Sequence, residues 1–241
     1  MKIKTMTAFI FARGGSKGIK DKNIRKVGGK PLIAHSIGCA LASKYVSRII
    51  VSTDSEAIAE VARAYGADVL MRPAHLAADD SPEILAWRHA IEESGIYGES
   101  PQELFLSLPA TSPLRSKEDI DAAIERFMKK DCDIVFGISP SRRNPYLNMA
   151  TVDKDGLIHV AISGSNAVRR QDVPDVFDIT TCVYATSPNY VRTCKRLIEG
   201  RVGYIEIPVE RSLDIDDEID LYLANLMMTY PFKNDNSEKP V

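Results

Sequence analysis

The sequence predicts an α/β fold with a Rossmann-like, mostly parallel sheet and helices on both of its faces. Short strands that are apolar throughout alternate along the chain with amphipathic helices, a pattern typical of a parallel sheet that is covered on both sides. The 241 residues, of which 44% are hydrophobic, are enough to form a sizeable core around such a sheet. Polar loops follow several of the predicted strands, where α/β proteins bind their ligands.

The predicted elements follow one another in a regular order. Strands are predicted at residues 7–12, 48–54, 67–71, 103–109, 132–138, 180–185 and 202–209. Helices are predicted at residues 31–43, 55–66, 81–95, 116–130, 188–198 and 217–230. Ser55 is expected to cap the second helix and Gly66 to end it. Three polar loops, at residues 12–18, 52–54 and 109–115, should converge on one cleft at the carboxyl ends of the strands.

The pattern changes at about residue 140. Residues 140–172 contain no predicted helix, alternate in polarity and carry a turn signal at Asp155-Gly156, which indicates an antiparallel excursion from the sheet. The chain is thereby divided into four parts: an α/β core at residues 1–139, the excursion at 140–172, the remainder of the core at 173–230, and a tail at 231–241 that is expected to be disordered.

Charge and composition exclude several classes of function. A formal net charge of −2 gives no support for a nucleic-acid binder, which would carry a basic excess. None of the four cysteines forms a CxxC pair, so a zinc site is not predicted. No apolar stretch approaches about 20 residues, so no membrane span is predicted and the cytoplasm is the expected location. The basic residues are concentrated locally, which favours an anionic small molecule as the ligand.

Residues 11–33 form a glycine-rich basic loop directly after a predicted strand, with five glycines and seven Lys or Arg residues. Glycines let backbone N–H groups approach an anion closely, so the loop is predicted to bind phosphate. A polyphosphate would be neutralised by the first cations of the loop, which are Arg13, Lys17, Lys20 and Lys22. The spacing matches neither a Walker A loop nor a GxGxxG dinucleotide motif. The alternative interpretation is a solvated basic loop.

A second candidate site is the acidic segment SLDIDDEIDL near the end of the chain. In an extended segment Asp214 and Asp216 point to the same side, and two carboxylates so close repel each other unless a cation lies between them. Mg²⁺ is the predicted ion, because it prefers a few carboxylate oxygens completed by water and substrate phosphate. Asp217 and Glu218 open a helix and are expected to cap it. Helix capping is also the alternative explanation for all four acids.

Two further basic segments lie in the excursion. Residues 169–172 read RRQD, and the planar fork of arginine suits carboxylates and phosphates. The alternative interpretation of this segment is a charged surface hairpin. For residues 141–146, which read SRRNPY, three interpretations stay open: contact with an acidic sugar, contact with a partner subunit, and simple solvation.

The order and spacing of these segments resemble one known family. The chain resembles the acylneuraminate cytidylyltransferases, also called CMP-sialic acid synthetases, over about residues 6–228. The matching stretches are, in order, ARGGSKGIKDKN, residues 48–81, TSPLR, RRQ and DID. The resemblance implies a Mg²⁺-dependent enzyme that joins CTP to a 2-keto-3-deoxy sugar acid and releases CMP-sugar and pyrophosphate. In that reaction the anomeric hydroxyl of the sugar attacks the α-phosphorus. The resemblance also implies a homodimer whose contact lies mainly in the excursion.

By this match, residues of the chain fall into three functional groups. The nucleotide group is Ala12, Arg13, Gly15, Ser16, Lys17, Lys22, Asn23, Arg72 and Ser81. The catalytic group is Arg13, Lys22, Asp214 and Asp216, of which the two acids would also hold the metal. The sugar group is Thr111, Ser112, Arg142, Arg143, Arg170, Gln171 and Thr180.

Two positions depart from the sialic acid enzymes on the sugar side. Pro109 stands where glutamine is usual, and Thr180 stands where asparagine is usual. A site built for one set of hydroxyls and amides mispairs with another, so such changes alter specificity. The expected substrate is therefore legionaminic acid or a related nonulosonate rather than N-acetylneuraminic acid. Two alternatives stay open: an octulosonate acceptor of the Kdo or amino-Kdo type, and a non-catalytic module that binds a nucleotide sugar.

Overall fold

The structure, a computed structural model, describes residues 6–96, 104–163 and 169–230. The strands in these ranges are β1 (Met6–Phe11), β2 (Lys26–Val27), β3 (Lys30–Pro31), β4 (Val46–Thr53), β5 (Asp68–Met71), β6 (Phe105–Ser107), β7 (Ile134–Pro140), β8 (Ala150–Val152), β9 (Ile158–Val160), β10 (Phe177–Thr186) and β11 (Val202–Glu206). The helices are α1 (Leu32–Ala42), α2 (Glu56–Ala64), α3 (Glu83–Ser94), α4 (Lys117–Phe127), α5 (Pro188–Thr193) and α6 (Glu218–Thr229).

The central sheet is mostly parallel, as the sequence predicts. Its described strands lie in the order β11-β7-β10-β6-β1-β4-β5. β10 pairs antiparallel with β6 and β7, and the other neighbours pair parallel. β10 is the strand by which the chain returns from the excursion. It lies between strands of the first part of the chain, so residues from both sides of the excursion build one sheet.

Helices cover both faces of this sheet. Successive residues of β1 point to opposite faces, because side chains alternate along a strand. Ile10 packs in a cluster with residues of α1, α2 and α4. Phe9 packs on the other face, with its ring centroid 4.9 Å from that of Phe105, in a cluster that includes Trp87 of α3 and Val191 of α5. The predicted α/β architecture is confirmed.

One predicted helix is much too long, and one predicted cap is wrong. The helix predicted at 188–198 ends at Thr193, because the carboxylate of Glu199 accepts the N–H groups of Lys195 and Arg196 at 2.7 and 3.3 Å and holds a turn there instead. Ser55 occupies the N-cap position of α2, but its side chain makes no capping hydrogen bond in the described structure. The tail predicted at 231–241 lies outside the described residues.

The excursion contains a separate hairpin. β8 and β9 pair antiparallel, with Val152 opposite Ile158, and form a sheet of their own. Both side chains are exposed, at 69% and 75% respectively. The antiparallel pairing agrees with the alternating pattern of the sequence, and the apolar face of the hairpin is left uncovered in the single chain.

A third apolar cluster joins the glycine-rich loop to the end of the chain. Ile19, from the loop, and Ile215, from the acidic segment, are both buried in it together with Leu221 of α6. The Gly28 N–H, which follows β2, donates to Asn225 Oδ1 of α6 at 2.9 Å. The two segments that carry the candidate phosphate and metal residues are thus anchored to each other by a common core.

Candidate active site

A cleft of about 470 Å³ opens beyond the carboxyl end of β1. It is lined by residues from the glycine-rich loop, from the segment between β5 and α3, and from the acidic segment. The lining residues are Phe11, Arg13, Ser16, Lys17, Gly18, Lys22, Asn23, Arg72, Leu76, Ala77, Ala78, Asp79, Ser81, Glu83, Thr111 and Asp216. The cleft therefore collects most of the predicted nucleotide group and one of the two predicted metal ligands.

The glycine-rich loop is held in place at its start by backbone contacts. The Gly14 N–H donates to Asp54 Oδ1 at 2.9 Å, and the Asn23 side-chain amide donates to the Arg13 carbonyl at 3.0 Å. Asp54 belongs to the loop predicted at 52–54, which supports the glycine-rich loop but does not line the cleft itself. Asn23, assigned to the nucleotide, is buried and also fixes the backbone from which the Arg13 side chain projects.

Lys22 connects the glycine-rich loop to the acidic segment. Its Nζ donates to the Ile215 carbonyl at 2.7 Å and lies 3.4 Å from Asp216 Oδ1. The Ile215 N–H in turn donates to the Thr111 carbonyl at 2.9 Å, which ties the acidic segment to the loop after β6. Three loops that are distant in sequence are thereby held around one cleft.

Gly18 allows the closest approach between the two segments. A Cβ added at Gly18 would collide with the carbonyl oxygen of Asp216, which is backbone and has little freedom to move. A Cβ added at Gly15 would have nothing within 4 Å. The two glycines of one loop therefore differ in function: Gly18 is required by close packing, and Gly15 is not.

We expect Gly18→Ala to separate the glycine-rich loop from the acidic segment and to lower stability by about 1–3 kcal/mol, the usual effect of overpacking. Turnover should fall as well, since Lys22 and Asp216 would no longer be held together. Thermal unfolding and steady-state kinetics measure both effects. Gly15→Ala is the matched control and should change neither; an equal effect of the two substitutions would contradict the packing explanation.

Arg72 and Ser81 present unpaired polar groups on the wall opposite the glycine-rich loop. The Arg72 N–H donates to the Thr53 carbonyl at 2.7 Å, which fixes the residue just after β5. Its side chain is buried, and neither Arg72 Nε nor Ser81 Oγ has a hydrogen-bond partner in the described structure. Burial lowers the pKa of Arg72, and the charges of Asp54 and Glu83 oppose that shift. Buried polar groups without partners in a cleft indicate a ligand that supplies them.

Glu83 lies beside this wall at the start of α3. Although the residue as a whole is exposed, the surrounding protein desolvates its carboxyl and raises its pKa. A hydrogen bond from Trp87 Nε1 at 3.2 Å and the charge of Arg72 favour the ionised form, but they do not offset the desolvation. Glu83 was not among the predicted site residues.

We expect Glu83→Gln to raise the melting temperature near neutral pH. Because its pKa is raised, the ionised Glu83 carboxylate is disfavoured in the folded protein. The stability of the protein therefore decreases as the pH rises from the pKa of this carboxyl in the unfolded chain through its pKa in the folded protein. Glutamine removes this charge and keeps an acceptor for Trp87. Melting curves should show the gain near neutral pH and its loss at about pH 3, more than one unit below the ordinary pKa of glutamate, where the carboxyl is protonated in both states. Glu93→Gln, on an exposed position of the same helix, should show no such gain; a gain for Glu83→Gln that persists at low pH would contradict the desolvation.

The predicted metal ligands do not line one cavity. Asp216 lines the cleft, and its side chain is 79% exposed. Asp214 lines a neighbouring groove of about 870 Å³ together with Leu213, Arg142 and residues of α6. Asp217 is different again: its carboxylate accepts the N–H groups of Ile219 and Asp220 and caps α6, as predicted.

The donor chemistry of the acidic pair nevertheless fits Mg²⁺. Asp214 Oδ1 is buried without a hydrogen-bond partner, and Asp216 offers an exposed carboxylate two residues further on, about 6.6 Å along an extended chain. Among the described residues, no group of three or more His, Cys, Asp or Glu side chains is arranged to hold a metal. Water and substrate oxygens would therefore have to complete the shell, which is the arrangement that Mg²⁺ prefers.

The predicted sugar group is only partly assembled in the single chain. Thr111 lines the cleft, whereas Ser112 is buried and its Oγ lies 2.9 Å from Thr181 Oγ1. Arg142 and Arg143 line a separate cavity of about 280 Å³. The Arg170 guanidinium donates to the Ser141 carbonyl at 2.5 Å. Gln171 is exposed in a single 3₁₀ turn, and neither it nor Arg170 lines the cleft.

The two departures from the sialic acid enzymes are held by contacts within the protein. The Pro109 carbonyl accepts from Arg115 Nη2 at 2.6 Å and from Ser36 Oγ at 3.1 Å. Thr180 is buried, and its Oγ1 accepts the Cys182 N–H at 3.4 Å. Neither residue lines the cleft, the groove or the smaller cavity.

Several residues that line the cleft were not among the predicted site residues. Ala12 and Gly15, which were assigned to the nucleotide, do not line the cleft, whereas Phe11, Asp79 and Glu83 do. The signal for Asp79 was its place in a short acidic loop after a predicted strand, a position at which α/β proteins bind ligands.

The comparisons with known proteins agree with this geometry. A sequence model of the family described as cytidylyltransferase matches residues 7–188. The chain belongs to the cytidylyltransferase family. In this cytidylyltransferase the glycine-rich loop and the residues of the opposite wall lie within the range that the family model matches, and the acidic segment lies beyond that range.

Similar sequences extend over nearly the whole chain of this cytidylyltransferase. The post-translational flagellin modification protein B of Campylobacter coli is 36% identical over 91% of this chain and 93% of its own length. The CMP-N,N'-diacetyllegionaminic acid synthase of Campylobacter jejuni is 35% identical over 91% and 93%. The N-acylneuraminate cytidylyltransferase of Escherichia coli is 32% identical over 90% of this chain, which corresponds to 50% of that protein.

Solved structures show the same fold at low sequence identity. A CMP:2-keto-3-deoxy-manno-octonic acid synthetase complexed with CTP superposes with a TM-score of 0.70 at 14% identity, covering 94% of this chain and 99% of the other. The 4-diphosphocytidyl-2C-methyl-D-erythritol synthase of Anaerococcus prevotii gives 0.63 at 15% identity, covering 94% and 96%. Among the described residues of this cytidylyltransferase, no helix has the length and apolar character needed to cross a membrane.

Proposed function

We propose that this cytidylyltransferase joins CTP to a 2-keto-3-deoxy sugar acid, a nonulosonate of the legionaminic or sialic acid type, and releases CMP-sugar and pyrophosphate. The observation that carries the proposal is the cleft, in which three cations of one glycine-rich loop face an exposed carboxylate and a wall with unpaired polar groups. The Campylobacter jejuni relative, whose name states a CMP-legionaminic acid product, supports the choice of sugar class.

The two walls of the cleft would bind different parts of CTP. Arg13, Lys17 and Lys22 would hold the phosphates, because phosphoryl transfer depends mainly on positioning and on neutralising charge. Arg72 and Ser81 would hold the cytidine, since their unpaired donors need hydrogen-bond partners that a base and its ribose supply. The sugar hydroxyl would then approach the α-phosphorus from the side of Thr111.

Asp214 and Asp216 would hold Mg²⁺. When bound, Mg²⁺ would neutralise charge on the phosphates and favour ionisation of the attacking hydroxyl, so that no side-chain base is required. Lys22, 3.4 Å from Asp216, lowers the local negative charge and keeps that carboxylate at the edge of the cleft. The catalytic group of the chain is therefore proposed to be Arg13, Lys22, Asp214 and Asp216.

The sugar side of the site is proposed from charge. An acidic sugar needs cations near its carboxylate, and Arg142 and Arg143 line the smaller cavity. Arg142 also lines the neighbouring groove, as does Asp214. Arg170 lies close to this cavity through its bond to the Ser141 carbonyl. Gln171 would join them from the adjacent turn. Cytoplasmic location and the lack of nucleic-acid and membrane partners stay predictions from the sequence.

An assay with a panel of sugars tests the proposed function. The protein is incubated with CTP, Mg²⁺ and legionaminic acid, N-acetylneuraminic acid or Kdo, and pyrophosphate release is measured against a control without sugar. Turnover should be fastest with legionaminic acid. Turnover with Kdo alone would favour the octulosonate alternative. Binding of CTP without turnover on any sugar would favour a non-catalytic module.

We also propose that the protein is a homodimer that buries the β8–β9 hairpin. An isolated hairpin is marginal in water, and Val152 and Ile158 expose a paired apolar surface. Ile158→Lys should convert the dimer into a monomer of 26.6 kDa, as measured by light scattering at micromolar concentration. Tyr222→Lys changes an equally exposed side chain on α6 and should leave the dimer intact. A monomeric wild-type protein would refute the proposal.

A further inference from the structure

Two of the proposed phosphate-binding cations already share a carboxylate. Arg13 Nη1 lies 2.6 Å from Asp79 Oδ1, and Lys17 Nζ lies 2.8 Å from Asp79 Oδ2. Each oxygen of one carboxylate thus binds a different cation. Asp79 comes from the segment between β5 and α3, so these ion pairs bridge the two walls at the mouth of the cleft.

The Asp79 carboxylate is held at this position by few contacts. Asp79, Arg13 and Lys17 are all partly or largely exposed, and in the described part of the chain the Asp79 carboxylate has no hydrogen-bond partner besides these two cations. The two cations hold the pKa of Asp79 below its ordinary value, so it is ionised near neutral pH. Lys22 is directed elsewhere, to Ile215 and Asp216, and does not take part.

A carboxylate on two cations resembles a phosphate group in both charge and geometry. Each group offers separate oxygens to separate donors, and both form charge-assisted hydrogen bonds with Arg and Lys. A triphosphate or pyrophosphate carries several negative charges and can displace a single carboxylate. Asp79 must leave the cations before a polyphosphate can occupy them.

We propose that Asp79 competes with polyphosphate for Arg13 and Lys17. This competition sets the affinity of the cleft for CTP, and it speeds the release of pyrophosphate because Asp79 rebinds the two cations. This inference rests on the proposed function, because it requires the two cations to bind phosphate. It makes Asp79 a residue that tunes affinity, because every ligand that binds Arg13 and Lys17 must first displace this carboxylate.

Binding of sodium pyrophosphate, measured by calorimetry without metal or sugar, tests the proposal directly. Asp79→Asn removes the charge at an exposed position and should leave folding intact, as a melting curve verifies. It should bind pyrophosphate about threefold to tenfold more tightly than the wild type, the range expected when exposed ion pairs no longer compete. The affinity for cytidine, which carries no phosphate to place on the two cations, should not change. In the steady state, inhibition by pyrophosphate should become stronger by a similar factor.

Two controls separate the contact from a general effect of charge. Asp80→Asn removes the same charge from the neighbouring residue and should give a smaller gain than Asp79→Asn. In the Lys17→Ala background the gain from Asp79→Asn should shrink, because one of the released cations is gone. Equal gains for the two Asn variants, or pyrophosphate affinity in Asp79→Asn that is equal to or weaker than wild type, would overturn the proposal. Failure of the wild-type protein to bind either CTP or pyrophosphate would instead overturn the proposed function and, with it, the competitor role.

Discussion

Asp216→Asn is expected to remove nearly all turnover while the folded protein stays as stable as the wild type. The Asp216 side chain is largely exposed in the cleft, and its contact with Lys22 is a 3.4 Å ion pair that contributes little to stability. Its charge, by contrast, is proposed to hold the metal beside the reacting phosphates. Losing one preorganised electrostatic contact of this kind lowers kcat about 10²–10³-fold.

Asp217→Ala is the matched control, one residue further along the chain. Asp217 caps α6 through bonds to Ile219 and Asp220, so its loss should lower stability by about 1 kcal/mol and leave chemistry unchanged. Unfolding curves beside a Mg²⁺ titration of turnover should show opposite patterns in the two variants. A normal Mg²⁺ response in Asp216→Asn would show that this acid is not a metal ligand.

Local chemistry explains which features could be predicted. Apolar runs between turn residues located the seven strands of the large sheet, since a buried parallel strand needs apolar side chains on both faces. The short helix α5 was predicted too long, because its continuation is prevented by Glu199, whose carboxylate binds the backbone of Lys195 and Arg196. A side chain that competes with the helix in this way is visible only in three dimensions.

The limits of prediction at the site have a similar cause. Asp79 lies more than 60 residues from the cations it binds, and no local pattern reports an ion pair over that separation. Alternation along an extended strand predicted that Asp214 and Asp216 would face the same way. In the structure Ile215 is buried between them in the third apolar cluster, and the two acids line different cavities. Alternation describes only the local directions of side chains, whereas the cavity that each acid lines depends on the loops and helices packed around it.

The second large effect is expected for Arg13→Ala, which should lower kcat/KM about 10²-fold. Arg13 projects into the cleft just beyond β1, from a backbone that Asn23 holds through the Arg13 carbonyl. Arg13 is proposed to bind the pyrophosphate as its charge develops, and the loss of such a contact costs about 3 kcal/mol of transition-state stabilisation. Stability should change little, because the pair with Asp79 is partly exposed.

Two further variants establish that position and geometry, rather than charge alone, give Arg13 its effect. Lys20→Ala removes a cation from an exposed position of the same loop that does not line the cleft, and it should leave kcat/KM nearly unchanged. Arg13→Lys keeps the charge but loses the planar fork that binds phosphate oxygens in pairs, so it should restore only part of the activity. Steady-state kinetics with CTP as the varied substrate distinguish these outcomes. Near-normal turnover in a folded Arg13→Ala protein would mean that Arg13 is not positioned for the leaving pyrophosphate. An equal loss of activity in Lys20→Ala would mean that the loop acts through its overall charge.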